Sequence, residues 1–359
     1  MARPTPAEDD KLVIPGPSHV EDPTIEALAE QAERTDDVAV RRQLFGWREA
    51  VSTLIPVALL VLVARNIDWG QVLATIARAA PVPLAGALAV YYATFPLRSW
   101  RWARLLQEGG ARVRGRDLLK ILFLGWFVNC LVPAKLGDLY RSYLVKQRFS
   151  ISLSRTVGVV VAERLLDLIA VFGFLIVGGY IAFGRTVLPD LRLVYISGAM
   201  LAVLIALGIV GLYVVAPRIA RYFPQNVRRV GRLFREGVLH SFRALPEVGP
   251  LTLVIWLAEA GRLALVLAAL GLELPLSGVV FVAVASSLLT TIPLTPAGLG
   301  FVEIAMVYVL TTGFGMSQHN GVAVAVLDRA VSVFSVIIVG GIVYTRTQRH
   351  QRIGGRQPS

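Results

Sequence analysis

Residues 118–147 read LLKILFLGWFVNCLVPAKLGDLYRSYLVKQ, and the break at the centre decides how the rest of the chain is interpreted. The apolar run 118–132 meets PAKLG at 133–137, and residues 138–147 then continue. A helix of about 15 residues is only about 22 Å long, too short to cross roughly 30 Å of hydrocarbon. Because Pro133 and Gly137 end a helix on either side, the stretch predicts a re-entrant hairpin of two half-helices.

The same pattern returns later in the chain. Residues 277–292 run to PLTPAGLG at 293–300, residues 299–314 then continue, and LTPAGLG matches LVPAKLG in five of seven positions at an offset of 163. Arg98 precedes Arg262 by 164 residues, and the pair Glu163-Arg164 precedes Asp328-Arg329 by 165. These constant offsets predict a repeated unit with a second hairpin. The residues that break the second hairpin are Pro293, Pro296, Gly298 and Gly300.

Composition places this repeat in a membrane. Of 359 residues, 55% are hydrophobic and 17% are charged, against about 25% charged in a soluble domain. This excludes a soluble globular enzyme and a disordered protein. The sequence predicts an all-α polytopic membrane protein with about six full spans and two re-entrant hairpins. The predicted spans are 50–66, 81–100, 156–183, 192–216, 249–271 and 321–345.

Basic residues set the predicted orientation, because Lys and Arg favour the cytoplasmic side in short loops. A topology with both termini cytoplasmic places 26 basic residues inside and four outside. This split requires residues 118–147 to enter and leave on the cytoplasmic side. We therefore expect a multi-pass protein of the cell membrane. The tryptophans near span ends, predicted as interface anchors, are Trp47, Trp69, Trp100 and Trp102.

This topology makes the two units an inverted-topology repeat, an architecture of transporters. An acidic tail precedes the membrane domain, and its ten acidic and three basic residues predict a disordered cytoplasmic segment. The predicted organisation is a tail at 1–40, a transmembrane domain at 41–345 and a basic cytoplasmic tail at 346–359. Within the domain we expect repeat one at about 81–183, a linking span at 192–216, a basic amphipathic cytoplasmic segment at 218–247 and repeat two at about 249–345.

Charged residues inside the apolar spans are the first candidate site residues. Each costs roughly 2.5–3.5 kcal/mol near the centre of a span, so they must pair or line a polar cavity. Two interpretations stay open: ion pairs that only hold helices together, or contacts with a polar substrate. The residues concerned are Glu163, Arg164, Asp167, Glu259, Arg262, Asp328 and Arg329.

The hairpin tips supply the other candidates. Helices that begin after Gly137 and Gly300 would direct N-terminal amides toward the tips, where an anion such as a lipid phosphate could bind. Asp138 and Glu303 occupy the first turns, either as helix caps or as a site for a cation or proton. Asn129 and Thr295 lie beside the breaks, either to satisfy freed backbone groups or to contact substrate. The remaining candidates are the cations Arg98, Lys135 and Arg141.

Other chemistries lack the residues that they need. One cysteine, Cys130, and four histidines predict neither a metal site nor a cofactor, and the common hydrolase and nucleotide-binding motifs are absent. Residues 225–245 alternate apolar and arginine positions with helical spacing, which predicts a helix on the anionic inner leaflet. We expect membrane lipids as partners and no nucleic acid. The oligomeric state is not indicated.

Four motifs together resemble the flippase-type transmembrane region of lysylphosphatidylglycerol synthases. They are NCLVPAKLGDLYR at 129–141, VAERLLDL at 161–168, PLTPAGLGFVE at 293–303 and LDR at 327–329. The resemblance covers about residues 50–345, with Lys135 where the family often has Arg and Asp138 where it often has Glu. No synthase domain follows residue 345, so we expect a stand-alone member without lipid-synthesising activity.

The resemblance implies a flippase that moves a polar lipid by alternating access, with no enzyme activity. Its headgroup would be aminoacylated, glycosylated or anionic. One alternative is a membrane-embedded glycosyltransferase acting on a polyprenyl-linked sugar. Another is a non-catalytic membrane subunit that serves a separate lipid-modifying enzyme.

Overall fold

A computed structural model of the chain describes residues 67–132, 135–183, 203–291 and 295–354, together with Arg65, Ile196 and Met200. All of them belong to one compact unit, residues 51–359. Within these ranges the regular secondary structure is helical. The predicted acidic tail, all but Arg65 of the first predicted span, part of the linking span, and Pro133 and Pro293 lie outside the described residues.

The first half of the described chain contains five helices. The side chain of Asp68 accepts a hydrogen bond from the backbone N–H of Gln71 and so caps the first helix. Pro81 begins the second helix, at a position where its missing N–H leaves no helical bond unmade. The helices are α1 (Trp69–Ala77), α2 (Pro81–Glu108), α3 (Gly115–Leu131), α4 (Leu136–Phe149) and α5 (Leu153–Phe183).

The second half repeats much of this order. Three of its helices contain or continue into short π-helical turns, at Gly211–Val215, Val309–Gly313 and Ala330–Phe334. The helices are α6 (Val203–Ala220), α7 (Gln225–Ser241), α8 (Leu245–Ala269), α9 (Leu276–Thr291), α10 (Phe301–Tyr308), α11 (Gln318–Arg329) and α12 (Ser335–Gly354). Both predicted breaks lie between helices. The first break separates α3 from α4, and the second separates α9 from α10.

Four described stretches are long and apolar enough to cross a membrane, and α1 with α2, bent by 86°, makes a fifth if the pair is one span. The chain is therefore a multi-pass helical membrane protein. Pro296–Gly313 is among the four, but it takes in the break at Ala297–Gly300, and the continuous helix after that break is shorter, with eight α-helical and five π-helical residues. The other three stretches are Val203–Ala220, Val227–Ala269 and Gln318–Arg346.

Helices α2 and α8 pack along each other, with α3 packed against α2 and α9 against α8. Helix α5 of the first half packs on α9, and α12 of the second half packs on α3. Helices α3 and α4 approach so closely that a Cβ on Gly137 would lie 2.0 Å from the carbonyl oxygen of Gly125. Only glycine fits at this contact, which fixes the angle between the two short helices.

Helix α7 matches the predicted basic amphipathic segment, but its apolar stripe is divided. Val238 is fully buried against α5, where a Cβ on Gly158 would lie 2.3 Å from the carbonyl oxygen of Phe234. Val227 and Val230, about two to three turns earlier, are exposed. Part of the stripe therefore packs within the protein, and only the N-terminal part is free for a membrane surface.

Candidate functional site

A cavity of about 150 Å³ lies among the charged helices. A space of this size holds several water molecules or a small polar group. Helices α2, α3, α5, α8, α9, α10 and α11 contribute to its wall. Lys135 and Ala297, one from each helix break, also line it. The structure thus brings both breaks to one polar space.

Nine of the fourteen predicted site residues line this cavity, and five do not. Arg141 and Glu163 are fully buried behind the wall, and Thr295 donates a hydrogen bond to the carbonyl oxygen of Leu299 instead. Asp138 and Glu303 also lie outside the lining. The nine residues that line it are Arg98, Asn129, Lys135, Arg164, Asp167, Glu259, Arg262, Asp328 and Arg329.

A first ion network joins α2, α4 and α5. Arg101 donates hydrogen bonds to both oxygens of Asp167, at 2.7 and 3.1 Å, and to Glu163 at 2.9 Å. Arg141 of α4 donates to the other oxygen of Glu163 at 2.8 Å. Arg101, Arg141 and Glu163 have no exposed side-chain surface. A buried charge is tolerated only when it is paired, so this network fixes the three helices against each other.

Arg164 connects this network to the first helix break. Its guanidinium donates two hydrogen bonds to Asp138, at 3.0 and 2.9 Å, and approaches Asp167 at 3.7 Å. Asn129 donates to Asp138 at 3.3 Å and accepts from the backbone N–H of Gly137 at 2.8 Å. Asn129 thus satisfies a backbone group freed at the break, one of the two roles that the sequence left open. Asp138 accepts mainly from arginine rather than from the helix end.

A second network joins α2, α8 and α11. Arg98 donates to Glu259 at 2.6 Å, and Arg262 donates to the other oxygen of Glu259 at 3.0 Å. Arg262 also forms a short contact with Asp328 of α11. All four side chains are buried. This network connects the two halves of the chain through α2 and α8.

A third pair lies beside the second break. Arg329 approaches Glu303 at 3.0 Å, although the geometry does not make a hydrogen bond. Glu303 accepts a hydrogen bond from the backbone N–H of Gly300 at 2.6 Å, so it caps α10 as the sequence allowed. Glu303 with Arg329 occupies the same place in the second half as Asp138 with Arg164 in the first. In each half, the acid after the break therefore pairs with the arginine of the next acid-arginine motif.

Aromatic rings line the space between these networks. The guanidinium of Arg98 lies 5.0 Å from the ring centre of Trp126, and that of Arg164 lies 5.5 Å from it. Such contacts stabilise a cation by about 0.5–2 kcal/mol and hold it in place. Trp102, predicted as an interface anchor, is instead fully buried with Arg141 over its ring. The prediction for Trp102 is wrong because its side of α2 faces α4 rather than lipid.

The backbone at both breaks is left-handed. Lys135 has a φ angle of 56°, while Ala297 and Gly298 have φ angles of 51° and 72°. In the aligned motifs Lys135 corresponds to Gly298. This conformation costs a residue with a Cβ roughly 1–2 kcal/mol, and glycine avoids the cost. The first half therefore has a lysine, Lys135, in this strained conformation, whereas the second half has Gly298, which adopts it without strain.

Arg101 is the main residue that the sequence analysis missed. Arg101 entered the prediction only as one of the 26 basic residues placed inside, but the structure buries it completely. The spacing could have indicated its burial. Arg101 lies one helical turn after the predicted site residue Arg98, and α2 continues beyond it with apolar residues. Within the described residues no group of three acidic, cysteine or histidine side chains is placed to hold a metal.

The chain belongs to the family of the lysylphosphatidylglycerol synthase transmembrane region, whose model matches residues 49–340. A UPF0104 membrane protein of Methanocaldococcus jannaschii is 33% identical over 225 residues, which cover 62% of this chain and 95% of that protein. A UPF0104 membrane protein of Methanothermobacter thermautotrophicus is 25% identical over 81% of this chain and 93% of its own length.

A third relative carries the name of an enzyme. The glycosyltransferase AglD of Haloferax volcanii is 29% identical over 333 residues, which cover 80% of this chain but only 52% of AglD. This chain therefore aligns with about half the length of that protein. No solved structure matches the chain.

Proposed function

We propose that this protein moves a polar lipid headgroup across the membrane through the cavity between the two helix breaks. The observation that carries the proposal is the wall of that cavity, which combines paired charges with residues of both breaks. Charged residues at membrane depth mark a substrate pathway in many transporters. Irregular backbone at this depth is tolerated where it lines such a space.

The proposed architecture is an inverted-topology repeat with two re-entrant hairpins and about six spans, both termini being cytoplasmic. Its support is the lengths of α3 and α4, 17 and 14 residues, which give only about 25 and 21 Å. The matched pairs Asp138–Arg164 and Glu303–Arg329 add to it. In this arrangement one hairpin opens toward each side of the plasma membrane, and rocking of one repeat against the other exposes the cavity alternately.

The acyl tails stay in lipid while the headgroup crosses. The wall of the cavity is lined by charged and polar side chains, which suit a headgroup and disfavour acyl chains. Arg164 is the arginine suited to meet the headgroup, since 26% of its side chain is exposed while its partner Asp138 holds it in place. The buried arginines Arg101 and Arg141 act as structural supports behind it.

The N-terminal part of α7 is proposed to rest on the anionic inner leaflet. Val227 and Val230 are exposed there, beside the exposed arginines Arg228 and Arg229. Exposed apolar and basic residues on one helix favour an anionic lipid surface. This surface would concentrate anionic lipids near the cavity.

A plug of the cavity tests the proposal. Ser287 lines the cavity, so Ser287→Phe should fill it and reduce the transfer of a headgroup-labelled lipid in proteoliposomes about tenfold or more, since about 1.4 kcal/mol at the barrier suffices. Val254→Phe is the matched control, because Val254 lies on an exposed face of α8. Equal transfer by both variants at equal reconstituted amounts would reject the cavity as the pathway.

Glycosyl transfer is the second candidate, and the similarity to AglD favours it. That similarity covers only half of AglD, so the name alone does not assign the reaction to the shared half. Incubation of the purified protein with a nucleotide sugar and a polyprenyl phosphate separates the two functions. Product without lipid translocation would establish the transferase. A third candidate, a subunit of a lipid-modifying enzyme, predicts neither activity in isolation.

A further inference from the structure

A groove of about 400 Å³ lies between the end of α2 and the beginning of α3, and it is separate from the central cavity. No described residue lines both spaces. The wall of the groove combines apolar, aromatic and basic side chains, a combination that suits a position between hydrocarbon and headgroups. Its apolar and basic lining residues include Pro96, Trp100, Arg104, Arg114, Arg116 and Leu119.

The length of α2 places this groove at the membrane interface. Helix α2 has 28 residues, which extend about 42 Å, whereas the hydrocarbon is roughly 30 Å thick. Helix α1 meets α2 at 86°, which favours Pro81 as the start of the span. A span of about 20 residues from Pro81 ends at Trp100. Trp100 is 46% exposed, and tryptophan at this depth is typical of the membrane interface.

The exposed face of α2 divides the groove into an apolar part and a basic part. Pro96, Trp100 and Arg104 follow each other at intervals of about one turn and share this face. Pro96 therefore lies on the hydrocarbon side of Trp100, and Arg104 lies on the headgroup side. Leu119 of α3 lies opposite, one turn inside Gly115, where a Cβ would lie 3.1 Å from Cα of Trp100. An acyl chain fits the apolar part, and its headgroup would meet the basic part.

Two of the three arginines in the basic part lack a partner within the described protein. Arg104 is paired with a carboxylate of α8 at 2.5 Å, so its charge is compensated. Arg114 and Arg116 are exposed, and no carboxylate among the described residues lies within 4 Å of either. Residues 112–120 contain four basic residues and one acid, Asp117. The headgroup side of the groove is therefore positively charged.

We propose that this groove binds one anionic lipid of the cytoplasmic leaflet. The headgroup contacts Arg114 and Arg116, and one acyl chain lies along Pro96, Trp100 and Leu119. Two guanidinium groups without a protein partner select a negative headgroup by charge. The lipid holds α3 against α2 and is not cargo of the central cavity. This site relies on the proposed cytoplasmic orientation of the α2–α3 connection but not on transport.

Lipid binding to the purified full-length protein in detergent tests the proposal, with native mass spectrometry as the measurement. The probes are dioleoyl-phosphatidylglycerol, which is anionic, and dioleoyl-phosphatidylcholine, which has the same acyl chains and no net charge. We expect the anionic lipid to bind about fivefold more tightly or better. Equal affinity for the two lipids would overturn the proposal, because the arginines would then select nothing.

A double variant tests the charge at the groove. Arg114→Gln combined with Arg116→Gln should weaken binding of dioleoyl-phosphatidylglycerol about fivefold or more. Arg112→Gln combined with Lys120→Gln is the matched control, because it removes two exposed basic residues of the same segment that do not line the groove. An equal loss of affinity in both double variants would indicate diffuse attraction to the segment and would refute the site.

The apolar part of the groove is tested in the same assay. Trp100→Ala should weaken binding of dioleoyl-phosphatidylglycerol about threefold or more. Trp69→Ala is the matched control, because Trp69 is 43% exposed on α1, outside the groove. If Trp100→Ala binds normally and inorganic phosphate at the same concentration displaces the lipid, the groove takes a free anion and the lipid proposal is wrong.

The plug of the central cavity separates this site from the proposed function. Ser287→Phe should leave the affinity lost in the Arg114→Gln, Arg116→Gln variant intact, because Ser287 lines the cavity and not the groove. Loss of that affinity in Ser287→Phe would place the lipid in the cavity and refute the groove. Absence of lipid translocation by the unmodified protein would refute the flippase proposal and leave the groove unaffected.

Discussion

Replacement of Arg101 by methionine should destabilise the protein far more than the same change at Arg104, one turn along α2. Arg101 is fully buried and donates to Glu163 and Asp167, whereas the pair of Arg104 with Glu247 is exposed to solvent. Loss of one partner from a buried ion pair costs roughly 3–5 kcal/mol, because the other charge is left uncompensated. An exposed pair contributes little.

The structure places the expected cost at the low end of that range. Without Arg101, Glu163 still accepts from Arg141 at 2.8 Å, and Asp167 still has Arg164 at 3.7 Å. We therefore expect the free energy of unfolding to fall by about 3 kcal/mol for Arg101→Met. For Arg101→Lys we expect a free energy of unfolding between those of the unmodified protein and Arg101→Met. One ammonium group cannot replace a planar guanidinium that reaches two carboxylates.

Unfolding by sodium dodecyl sulfate in mixed micelles, followed by circular dichroism, measures this free energy. Arg104→Met is the control for the loss of an arginine from the same helix. The reasoning about the first network is refuted if Arg101→Met and Arg104→Met shift the unfolding midpoint equally. It is also refuted if Arg101→Lys is as unstable as Arg101→Met.

Three further predictions concern the breaks, the cavity and the orientation. Gly137→Ala should destabilise the protein by about 1–3 kcal/mol or more, because the added Cβ clashes with the backbone of α3. Gly341→Ala is the control, because its Cβ meets open space. Equal unfolding midpoints for the two variants would contradict the close packing of α3 on α4. Cys130 lines the cavity and is the only cysteine, so a bound phospholipid should slow its reaction with a small permeant thiol reagent; an unchanged rate would place the lipid elsewhere. In a Cys130→Ala background, an impermeant thiol reagent on intact cells should label Gln318→Cys but not Gln147→Cys, and the reverse pattern would invert the topology.

Local pattern was sufficient for the helices on either side of the first break, although it did not predict α1. The predicted run 118–132 appears as α3, and 138–147 lies within α4, because Pro and Gly end helices through their own backbone properties. The sequence also indicated that the acid-arginine motifs matter. A charged residue in an apolar span needs a partner whichever helix the span packs against. In the structure Arg164 and Arg329 each pair with an acid of a neighbouring helix.

The choice of partners needed the packed helices. Arg98 and Arg101 are one turn apart on α2, yet Arg98 pairs with Glu259 of α8 while Arg101 pairs with Glu163 and Asp167 of α5. Which neighbour a side chain meets depends on the rotation of α2 between its two neighbours. Side-chain spacing along one helix gives the relative positions of its faces but not what each face contacts.

The sequence by itself therefore determined a helical membrane protein with two matched helix breaks and a repeated acid-arginine pattern. The tertiary structure decided that Arg101 and Arg141 are buried supports and that Glu303 caps its helix. The physical reason is the separation along the chain of the residues that interact. Helix formation and helix breaks follow from a few neighbouring residues, whereas the compensation of a buried charge depends on groups up to 161 residues away, as Arg98 and Glu259 are.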